Sequence, residues 1–444
     1  MQKKVVKFGG TSMATADSVR RVRDIVSSDD SREIVIVSAP GKRFKGDQKV
    51  TDLLYKAYEQ NKKKQPMTAL DEVKERFVEL RKELGLNTDV EGEFCEIARG
   101  IEDSIAPDYA ASRGEYLAAK MFSEYSGYGF VDAYDLIAFH GAAYDPTATA
   151  VKCAEVLSGK RNIVVPGFFG ADENGMVRTF SRGGSDVTGA ILAANVGADL
   201  YENWTDVSGF MVADPHVVKG AKTMEILNYE ELRELSYMGA GVLHPDSVFP
   251  VRASGIPINI RNTFKPEDSG TMIVPSYAGS PDRIVTGIAG HKHNTTIVVA
   301  KAMLNNEIGT VRKMLSVLEE NGVSFEHLPT GIDTMSLVIS DAYLTHLDVA
   351  DIVRDIDRLI HPDKITVIKN LTLIAVVGVG ISECVGCAAR IFSSLAKINV
   401  NIRMIDMGSS AMNIILGVED EDYVRAVNAI YDEFFQPSTE SDRN

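Results

Sequence analysis

The sequence lacks the features that mark secreted and membrane proteins. Its 444 residues include only four cysteines, which are too few and too scattered for a disulfide framework. No apolar run approaches the roughly 18 residues that a membrane span needs, and the N-terminus has no apolar signal-peptide core. We therefore expect a cytoplasmic protein that does not bind membranes.

Positive charge is also scarce. The formal net charge is −15 at pH 7, whereas surfaces that bind nucleic acid need clustered Lys and Arg side chains. The sequence therefore predicts no nucleic-acid partner. A small anionic substrate stays possible if local cationic groups oppose the background charge.

Two common kinds of catalytic site are missing as well. No cluster of His, Glu and Cys has zinc-ligand spacing, and no set of Ser, His and acid indicates nucleophilic catalysis. Cys384 and Cys387 form one C-x-x-C, but a zinc site would need a second pair or two histidines nearby. We interpret both as reduced structural thiols, with a metal or redox role as the alternative.

The most informative segment that is present is KFGGTS at residues 7–12, directly after the first apolar run. A strand that ends in glycines and opens into a helix aims free backbone N–H groups at one spot, beside the positive end of the helix dipole. Lys7 adds a full positive charge next to Gly9 and Gly10. The pattern fits a phosphate chain, although an ordinary turn with a solvated lysine is the alternative.

A second glycine-rich helix start is SRGGSD at residues 181–186. Arg182 could hold a carboxylate through a bidentate pair of hydrogen bonds, and we favour a functional role for Ser185 as well. Asp186 has two interpretations of equal weight. It is either an N-cap or first-turn acid of the helix, or it has a metal or charge-handling role.

Polar residues mark further strand ends and helix starts. Thr205 and Asp206 follow an apolar strand, where an open parallel sheet offers its ligand crevice, so they could bind ribose or base edges. Thr51 is either a helix N-cap or a substrate hydroxyl. Glu115, which we place in the first turn of another helix, either pairs with a substrate amine or compensates the helix dipole.

Residues 1 to about 285 alternate strand-like and helical stretches, which predicts parallel βαβ units. A charged segment from 52 to 84 is predicted to be helical, with one apolar face. The predicted strands are 4–8, 33–38, 129–132, 162–166, 198–204 and 257–261.

The rest of the chain is predicted to contain two copies of an α/β module of about seventy-five residues. The first has strands at 296–300, 323–328 and 334–339 and helices at 308–321 and 347–360. The second has strands at 371–377, 400–405 and 411–418 and helices at 387–398 and 422–435. Because the second copy lacks a final strand, we expect residues 283–288 to complete its sheet.

Taken in order, these motifs closely resemble the aspartate kinases of the amino-acid kinase superfamily, and the duplicated tail resembles the two ACT domains that this family carries for feedback control. The matching segments are KFGGTS at 7–12, the Ser-Ala segment leading to Thr51, GE at 114–115, GFFG at 167–170, RGGSD at 182–186, WTDV at 204–207 and VLHP at 242–245.

The resemblance implies an α/β fold in which an open, mainly parallel, three-layer kinase domain (1–285) precedes two ferredoxin-like ACT domains (286–368 and 369–444). It implies ATP-dependent phosphorylation of the L-aspartate side-chain carboxylate to 4-phospho-L-aspartate, the first step to lysine, threonine and methionine. Mg²⁺ would be held mainly by the ATP phosphates.

Site residues follow from the same resemblance. The catalytic candidates are Lys7, Arg182 and Asp186. The aspartate-binding candidates are Thr51, Glu115, Phe168, Arg182 and Ser185. The nucleotide-binding candidates are Lys7, Gly9, Gly10, Thr205, Asp206, Met211, His216, Gly241 and Val242.

Three of these positions depart from the family pattern. Gly241 replaces a usual lysine, His216 a common arginine and Met211 a common tyrosine. We expect weaker ATP binding as a result, or compensation by another cation.

The ACT-like copies suggest regulation. An amino-acid effector, lysine and/or threonine, is expected near Asn306, Ile308 and Gly309, with Ile332 and Asp333 completing the pocket; ordinary turns are the alternative. Exposed edges of ACT sheets favour a homodimer or homotetramer.

Two other functions stay open at this point. One is an acetylglutamate, glutamate or uridylate kinase on the same fold, which would lack the paired tail. The other is a non-catalytic amino-acid sensor, suggested by Gly241.

Overall fold

The computed structural model describes residues 2–181, 183–241, 243, 245–277, 283–408 and 412–436, without the side chains of 245 and 246. The chain folds into two compact units. The first comprises Met1–Phe210, Thr223–Leu232 and Gly241–Tyr277, and the second comprises Met211–Lys222, Arg233–Ala240 and Ala278–Asn444. Two short segments from the middle of the chain therefore belong to the C-terminal unit.

The first unit is built on two sheets. Its strands are β1 (Lys4–Phe8), β2 (Arg32–Val37), β3 (Gly129–Phe130), β4 (Ala138–His140), β5 (Ala143–Tyr144), β6 (Ile163–Pro166), β7 (Phe169–Asp172), β8 (Val177–Thr179), β9 (Leu200–Thr205), β10 (Ile226–Asn228), β11 (Ile258–Asn262) and β12 (Thr271–Val274). The larger sheet has the order β10-β12-β11-β9-β1-β2-β6-β3 and is parallel except between β11 and β12. The smaller sheet has the order β5-β4-β7-β8.

Helices accompany these strands. They are α1 (Ala16–Ser27), α2 (Val50–Lys62), α3 (Thr68–Leu84), α4 (Val90–Asp103), α5 (Asp108–Ser126), α6 (Pro146–Val156), α7 (Gly184–Asn195), α8 (Tyr229–Tyr237) and α9 (Phe249–Ala253). The last residues of α8 belong to the second unit. The central strand β1 is apolar at Val5, Val6 and Phe8, which are fully buried, as expected for a parallel strand covered on both faces. The predicted parallel α/β architecture is confirmed.

The predicted helical segment from 52 to 84 is interrupted, so the expectation of one continuous segment was wrong. Helix α2 ends at Lys62 and α3 begins at Thr68. Lys64 between them has a positive φ of 56°, and Pro66 has no N–H to continue the helical hydrogen bonds. The predicted apolar face of α3 is nevertheless buried, at Leu70, Val73, Phe77 and Leu80.

The second unit is a five-stranded antiparallel sheet with helices. Its elements are β13 (Gly287–Ala300), α10 (Thr310–Glu320), β14 (Thr334–Ser340), α11 (Val349–Ile360), β15 (Lys364–Val377), α12 (Cys387–Lys397), β16 (Met404–Asp406), β17 (Asn413–Glu419) and α13 (Tyr423–Phe435). The sheet order is β14-β13-β15-β17-β16. The sequence of long strand, helix, hairpin strand and helix occurs twice, as the predicted duplication requires.

The two long strands β13 and β15 connect the copies. Residues 294–300 of β13 pair within the first copy and with 364–371, whereas residues 287–291 pair with 373–377 of the second copy. The domain boundaries themselves stay a prediction.

One predicted strand of the first copy, 323–328, was wrong. That segment forms only an isolated bridge between His327 and Val338. Val323 still closes the end of α10 through a hydrogen bond to Leu318, and Pro329 cannot donate to a neighbouring strand. In the described part of the chain, no helix has the length and hydrophobicity to span a membrane.

Candidate functional site

A buried lysine lies at the carboxyl end of the central strand. The Lys7 Nζ is 2.5 Å from the Asp186 Oδ1 and 3.5 Å from the Asn203 Oδ1, and the Asn203 Nδ2 donates to the same Asp186 oxygen at 2.8 Å. Strands β1 and β9 and helix α7 each supply one member. The three side chains therefore form one polar cluster, which we call the Lys7 cluster.

The structure narrows the interpretations of Asp186. Helix α7 has Gly183 as its N-cap, with a φ of 65° and no side-chain capping bond, so Asp186 is not the N-cap. Asp186 does lie in the first turn of α7, as the first-turn interpretation requires. Its carboxylate also pairs with Lys7, so the charge-handling role stays a prediction that this geometry suits.

Asn203 was not predicted as a site residue. It is almost completely buried, and it stands beside Lys7 in the parallel register of β1 and β9. Residues paired in this register point to the same face of the sheet. The sequence carries no signal for this pairing, because strand neighbours follow from the fold.

The glycine turn after β1 is shaped by a close approach of two loops. The Gly41 N–H, after β2, donates to the Gly10 carbonyl at 2.8 Å. A Cβ on Gly41 would lie 2.7 Å from the Gly10 carbonyl carbon, so a side chain cannot fit without moving the backbone. The N–H groups of Gly10 and Thr11 donate to no acceptor among the described residues. They remain available for an anion.

The helix predicted after these glycines, from Ala16 to Val26, is confirmed as α1 and begins beyond the glycine turn. Residues Gly10–Met13 form a short 3-10 turn. Helix α1 then starts at Ala16 with its own cap, the Thr15 side chain, which accepts from the Ser18 N–H. The dipole of α1 is therefore not at Gly9 and Gly10, and Lys7 with the free N–H groups supplies the positive potential.

Glu115 is a buried carboxyl group with an unused oxygen. Its side chain is 5% exposed, and the Oε2 atom has no hydrogen-bond partner among the described residues. Burial raises the pKa of Glu115 to about 8, against the lowering effect of a backbone hydrogen bond from Ala39 and of the Arg113 charge. An unpartnered buried carboxyl group is costly unless a cation pairs with it, so the position fits a substrate ammonium.

Glu115 does not lie in a first turn, so the dipole-compensation interpretation was wrong. Helix α5 begins at Asp108, two turns earlier. Gly114 brings the helix against the end of β2, because a Cβ there would lie 2.7 Å from the Ala39 Cβ. This close packing delivers Glu115 to the carboxyl ends of the strands.

Thr51 lies in the first turn of α2. The N-cap of that helix is Lys49, which makes no side-chain capping bond. The capping interpretation of Thr51 was wrong, and its hydroxyl is half-buried. The role as a substrate hydroxyl stays a prediction.

Phe168 and Ser185 lie where the loop before β7 packs closely against α7. Phe168 has a φ of 82°, a conformation that costs a bulky residue about 1 kcal/mol or more. It is held by its N–H, which donates to the Thr188 Oγ1 at 2.9 Å. A Cβ on Gly167 would lie 2.4 Å from the Ser185 Cβ. The strained loop and the buried serine are therefore in contact.

The end of β9 lies beside the glycine turn. The Trp204 carbonyl accepts from the Gly9 N–H at 3.0 Å, and Thr205 is the last residue of the strand. The Thr205 hydroxyl donates to the Asp206 Oδ1 at 3.3 Å, and Asp206 is exposed. The structure thus brings Thr205 and Asp206 to the edge of the sheet that carries the Lys7 cluster.

The remaining nucleotide candidates are divided between the two units. Met211 and His216 belong to the second unit, where the exposed His216 donates its N–H to the Asp214 Oδ1 at 2.8 Å. Gly241 is exposed, with open space at its Cβ position. Val242, like the carboxylate-binding candidate Arg182, lies outside the described residues.

The five effector candidates lie together in the second unit. The Met303 N–H donates to the Asp333 Oδ1 at 2.8 Å, and the Asn305 N–H donates to the Ile332 carbonyl at 3.2 Å. These bonds connect the loop before α10 to the turn before β14. Three of the candidates are Ile308, which is fully exposed, Ile332, which is 72% exposed, and Gly309, the N-cap of α10; the others are Asn306 and Asp333.

No group of three or more His, Cys, Asp or Glu side chains in the described ranges could hold a metal ion. A Mg²⁺ ion that arrives with nucleotide phosphates needs only one or two carboxylates in addition to water. Asp206 is exposed at the strand end and fits that requirement, whereas Asp186 is engaged by Lys7.

Family comparisons extend over both units. The amino acid kinase family model matches residues 2–262, and an ACT domain model matches residues 374–434. Aspartokinase 3 of Bacillus subtilis is 36% identical over 449 residues, which cover 97% of this chain and 98% of the relative.

Solved structures agree with the sequence matches. The aspartate kinase of Clostridium acetobutylicum, described as an allosteric enzyme, is 45% identical with a TM-score of 0.91, covering 98% of this chain and 100% of that chain. Aspartokinase III of Escherichia coli is 25% identical, again over 98% of this chain and 100% of that chain. Its TM-scores are 0.74 for the complex with aspartate and ADP and 0.76 for the complex with lysine and aspartate.

Proposed function

The chain belongs to the amino acid kinase family as an aspartate kinase with a C-terminal ACT domain, and on this premise we propose how its residues perform the reaction. It transfers the γ-phosphate of ATP to the side-chain carboxylate of L-aspartate, giving 4-phospho-L-aspartate. Membership favours this activity over a non-catalytic sensor and over an acetylglutamate or glutamate kinase. The supply of lysine, threonine and methionine is the pathway role that follows.

The Lys7 cluster is the observation that carries the proposal. A carboxylate is already an adequate nucleophile, so the reaction needs no general base. The obstacle is the repulsion between that carboxylate and the anionic phosphates, and fixed positive charge overcomes it. Asp186 and Asn203 hold the Lys7 ammonium in place, while the free N–H groups of the glycine turn face the phosphates.

The aspartate site is proposed around Glu115. Its unpartnered Oε2 accepts from the substrate ammonium, and the Ser185 hydroxyl and the Phe168 loop line the site beside α7. Thr51 supplies a further hydroxyl. Arg182 is proposed to grip a substrate carboxylate, from the motif alone.

Nucleotide binding is proposed at the end of β9 and in the following loop. The candidates are Thr205, Asp206, Met211, His216, Gly241 and Val242, in addition to Lys7, Gly9 and Gly10. Mg²⁺ supplies charge neutralisation to the phosphates when bound, and Asp206 would contribute an oxygen ligand. Glycine, histidine and methionine at 241, 216 and 211 predict weaker ATP contacts than in the family pattern.

Regulation by lysine and/or threonine is proposed through the second unit. The support is that the E. coli relative was crystallised with lysine and aspartate, and that the loop before α10 exposes Ile308 while the turn before β14 exposes Ile332, next to Asp333. An effector must bind one kinase conformation better than another to inhibit. A homodimer or homotetramer and a cytoplasmic location stay predictions.

The Lys7→Ala variant tests the proposal. We expect turnover to fall by at least about 10²–10³-fold, because the main fixed charge on the transferred phosphate is lost. A coupled assay of ADP release with saturating ATP and L-aspartate measures the rate. The exposed Lys63 gives a matched control, Lys63→Ala, with unchanged rate expected. Near-normal turnover of a folded Lys7→Ala protein would show that the phosphate assignment is wrong.

A further inference from the structure

A pair of cysteines closes the turn that opens α12 in the second unit. The Cys387 N–H donates to the Cys384 carbonyl at 3.4 Å. Gly386, between them, has φ 87° and ψ 2°, the values of the third residue of a type II β-turn. The Cα atoms at the two ends of such a turn are within about 7 Å, and a disulfide spans Cα distances of roughly 4.4–6.8 Å. The backbone is therefore suited to a bond between the two sulfurs.

The first copy of the module has a side-chain contact across the same turn. In the first copy the same turn runs from Glu307 to Thr310, with a 3.4 Å backbone hydrogen bond and Gly309 at φ 88°. There the Thr310 Oγ1 donates to the Glu307 Oε2 at 3.2 Å. The equivalent side chains of the second copy are Cys384 and Cys387.

We propose that Cys384 and Cys387 are a redox-active pair that forms a reversible intrachain disulfide across this turn. The proposal stands independently of the catalytic function. The two cysteines belong to the second unit, and the C-x-x-C motif has no part in the kinase reaction described above.

The two thiols differ in access, which assigns their roles. Cys384 is partly exposed, whereas Cys387 is buried. Burial raises the pKa of Cys387 to about 11, with a further contribution from Cys384. An external reagent therefore reaches Cys384 first, and Cys387 acts as the resolving thiol.

The oxidant is a small-molecule disulfide. The Cys384 thiolate attacks one sulfur of that disulfide, and the other sulfur leaves as a thiolate that takes up a proton. The Cys387 thiol then loses its proton and attacks the Cys384 sulfur, which releases the second small thiol. In total, two protein thiols are oxidised to one disulfide and the external disulfide is reduced to two thiols.

A purely structural disulfide would gain little here. The stabilisation from a cross-link grows with the length of the loop that it closes, and this loop is among the shortest. The turn is also free to adjust, because Val385 is fully exposed and nothing lies within 4 Å of a Cβ on Gly386. These properties favour a bond that forms and breaks over a permanent link.

The experiment treats the full-length protein with oxidised glutathione, blocks remaining thiols with an alkylating reagent, and maps the cysteine peptides by mass spectrometry. In the wild type we expect the peptide that carries both cysteines to lose two hydrogens and to hold neither glutathione nor alkyl groups. In the Cys387→Ser variant we expect glutathione to remain on Cys384.

Two other cysteines serve as controls in the same sample. Cys95 is exposed and Cys153 is buried, so we expect glutathione on Cys95 and none on Cys153. The proposal fails if the wild type keeps glutathione on Cys384 as fully as the Cys387→Ser variant does. It fails equally if both cysteines are alkylated while Cys95 carries glutathione. The wild-type result is decisive even where the variant does not fold.

Discussion

At the scale of single residues, the proposed chemistry depends on two buried ionisable groups. The Lys7 ammonium is paired with Asp186 and held by Asn203, so its position is fixed before any substrate arrives. The Glu115 carboxyl group has the opposite character, because one of its oxygens has no partner among the described residues. We propose that the Lys7 ammonium binds phosphate and that the Glu115 carboxyl group binds the substrate ammonium.

The raised pKa of Glu115 predicts a pH-dependent cost to stability. Burial raises the pKa of Glu115 from the ordinary glutamate value of 4.5 to about 8 in the folded protein, so the folded state binds more protons than the unfolded state between these pH values. Stability therefore falls as pH rises from 4.5 to 8, and the cost is complete above pH 8. At pH 9 we expect Glu115→Gln to unfold at a higher urea concentration than the wild type. Its free energy of unfolding should be higher by at most about 5 kcal/mol.

The difference between the two proteins should shrink towards pH 5, where the wild-type carboxyl group is neutral in the folded state. The exposed Glu59 provides a control, and Glu59→Gln is expected to match the wild type at both pH values. A Glu115→Gln effect of the same size at pH 5 and pH 9 would contradict the assigned pKa.

The glycine-rich motifs were sufficient to propose Lys7 and Ser185, which the structure places in β1 and in the first turn of α7. The sequence was not sufficient for Asn203, because its partnership with Lys7 depends on the β1–β9 register, which joins residues far apart in the chain. It also left Asp186 undecided, since a helix-start acid has the same sequence pattern whether it caps the helix or pairs with a lysine.

At the scale of elements, two turns at neighbouring strand ends shape the phosphate site. The turn after β1 and the turn after β2 are in backbone contact through Gly10 and Gly41. The N–H groups of Gly10 and Thr11 have no acceptor among the residues that the structure describes. The glycines are therefore required by close approach, as well as by the turn itself.

Gly41→Ala is predicted to damage both stability and activity. Its Cβ would lie 2.7 Å from the Gly10 carbonyl carbon, so the two turns must separate, at a cost of about 1–3 kcal/mol. Urea unfolding measures that cost, and we expect the KM for ATP to rise as the N–H groups move. Gly129→Ala is the matched control, because its Cβ would make an ordinary 3.8 Å contact. Equal behaviour of the two variants would refute the close-approach argument.

Element prediction succeeded where hydrophobic periodicity and glycine punctuation agree, as in β1 and α7. It failed at 63–67, where a left-handed Lys64 and Pro66 split a segment whose apolar periodicity looks continuous. It failed again at 323–328, where the residues after a helix end form only an isolated bridge to Val338 of β14. In both places the local backbone conformation, and not the hydrophobic pattern of the side chains, determined the secondary structure.

At the scale of the whole molecule, residues 211–222 belong to the second unit. Helix α13 of that unit holds this loop, because the Tyr431 hydroxyl accepts from the Lys222 N–H at 3.1 Å and the Asn428 Nδ2 donates to the Val217 carbonyl at 3.1 Å. The same loop contains Met211 and His216, which are proposed nucleotide contacts, so we expect a change in α13 to alter the loop that carries them.

Tyr431→Phe tests this connection. Loss of one hydrogen bond, about 1 kcal/mol, should loosen the loop and raise the KM for ATP by roughly fivefold, with little change in the KM for aspartate. Tyr237→Phe removes a hydroxyl that donates to Glu326 elsewhere in the same unit, and it should leave both constants unchanged. If Tyr431→Phe changed the KM for ATP and the KM for aspartate equally, or changed neither, the proposed role of the Tyr431 hydrogen bond would be disproved.

The central claim is that the carboxyl ends of β1, β2 and β9 bring a fixed ammonium and free N–H groups to the point where two anions react. A crystal structure with a non-hydrolysable ATP analogue and L-aspartate tests it most directly. We expect a phosphate oxygen in hydrogen-bond contact with the Lys7 Nζ, and the aspartate ammonium paired with the Glu115 carboxylate. A triphosphate bound away from Lys7, with Glu115 facing only protein atoms, would contradict it.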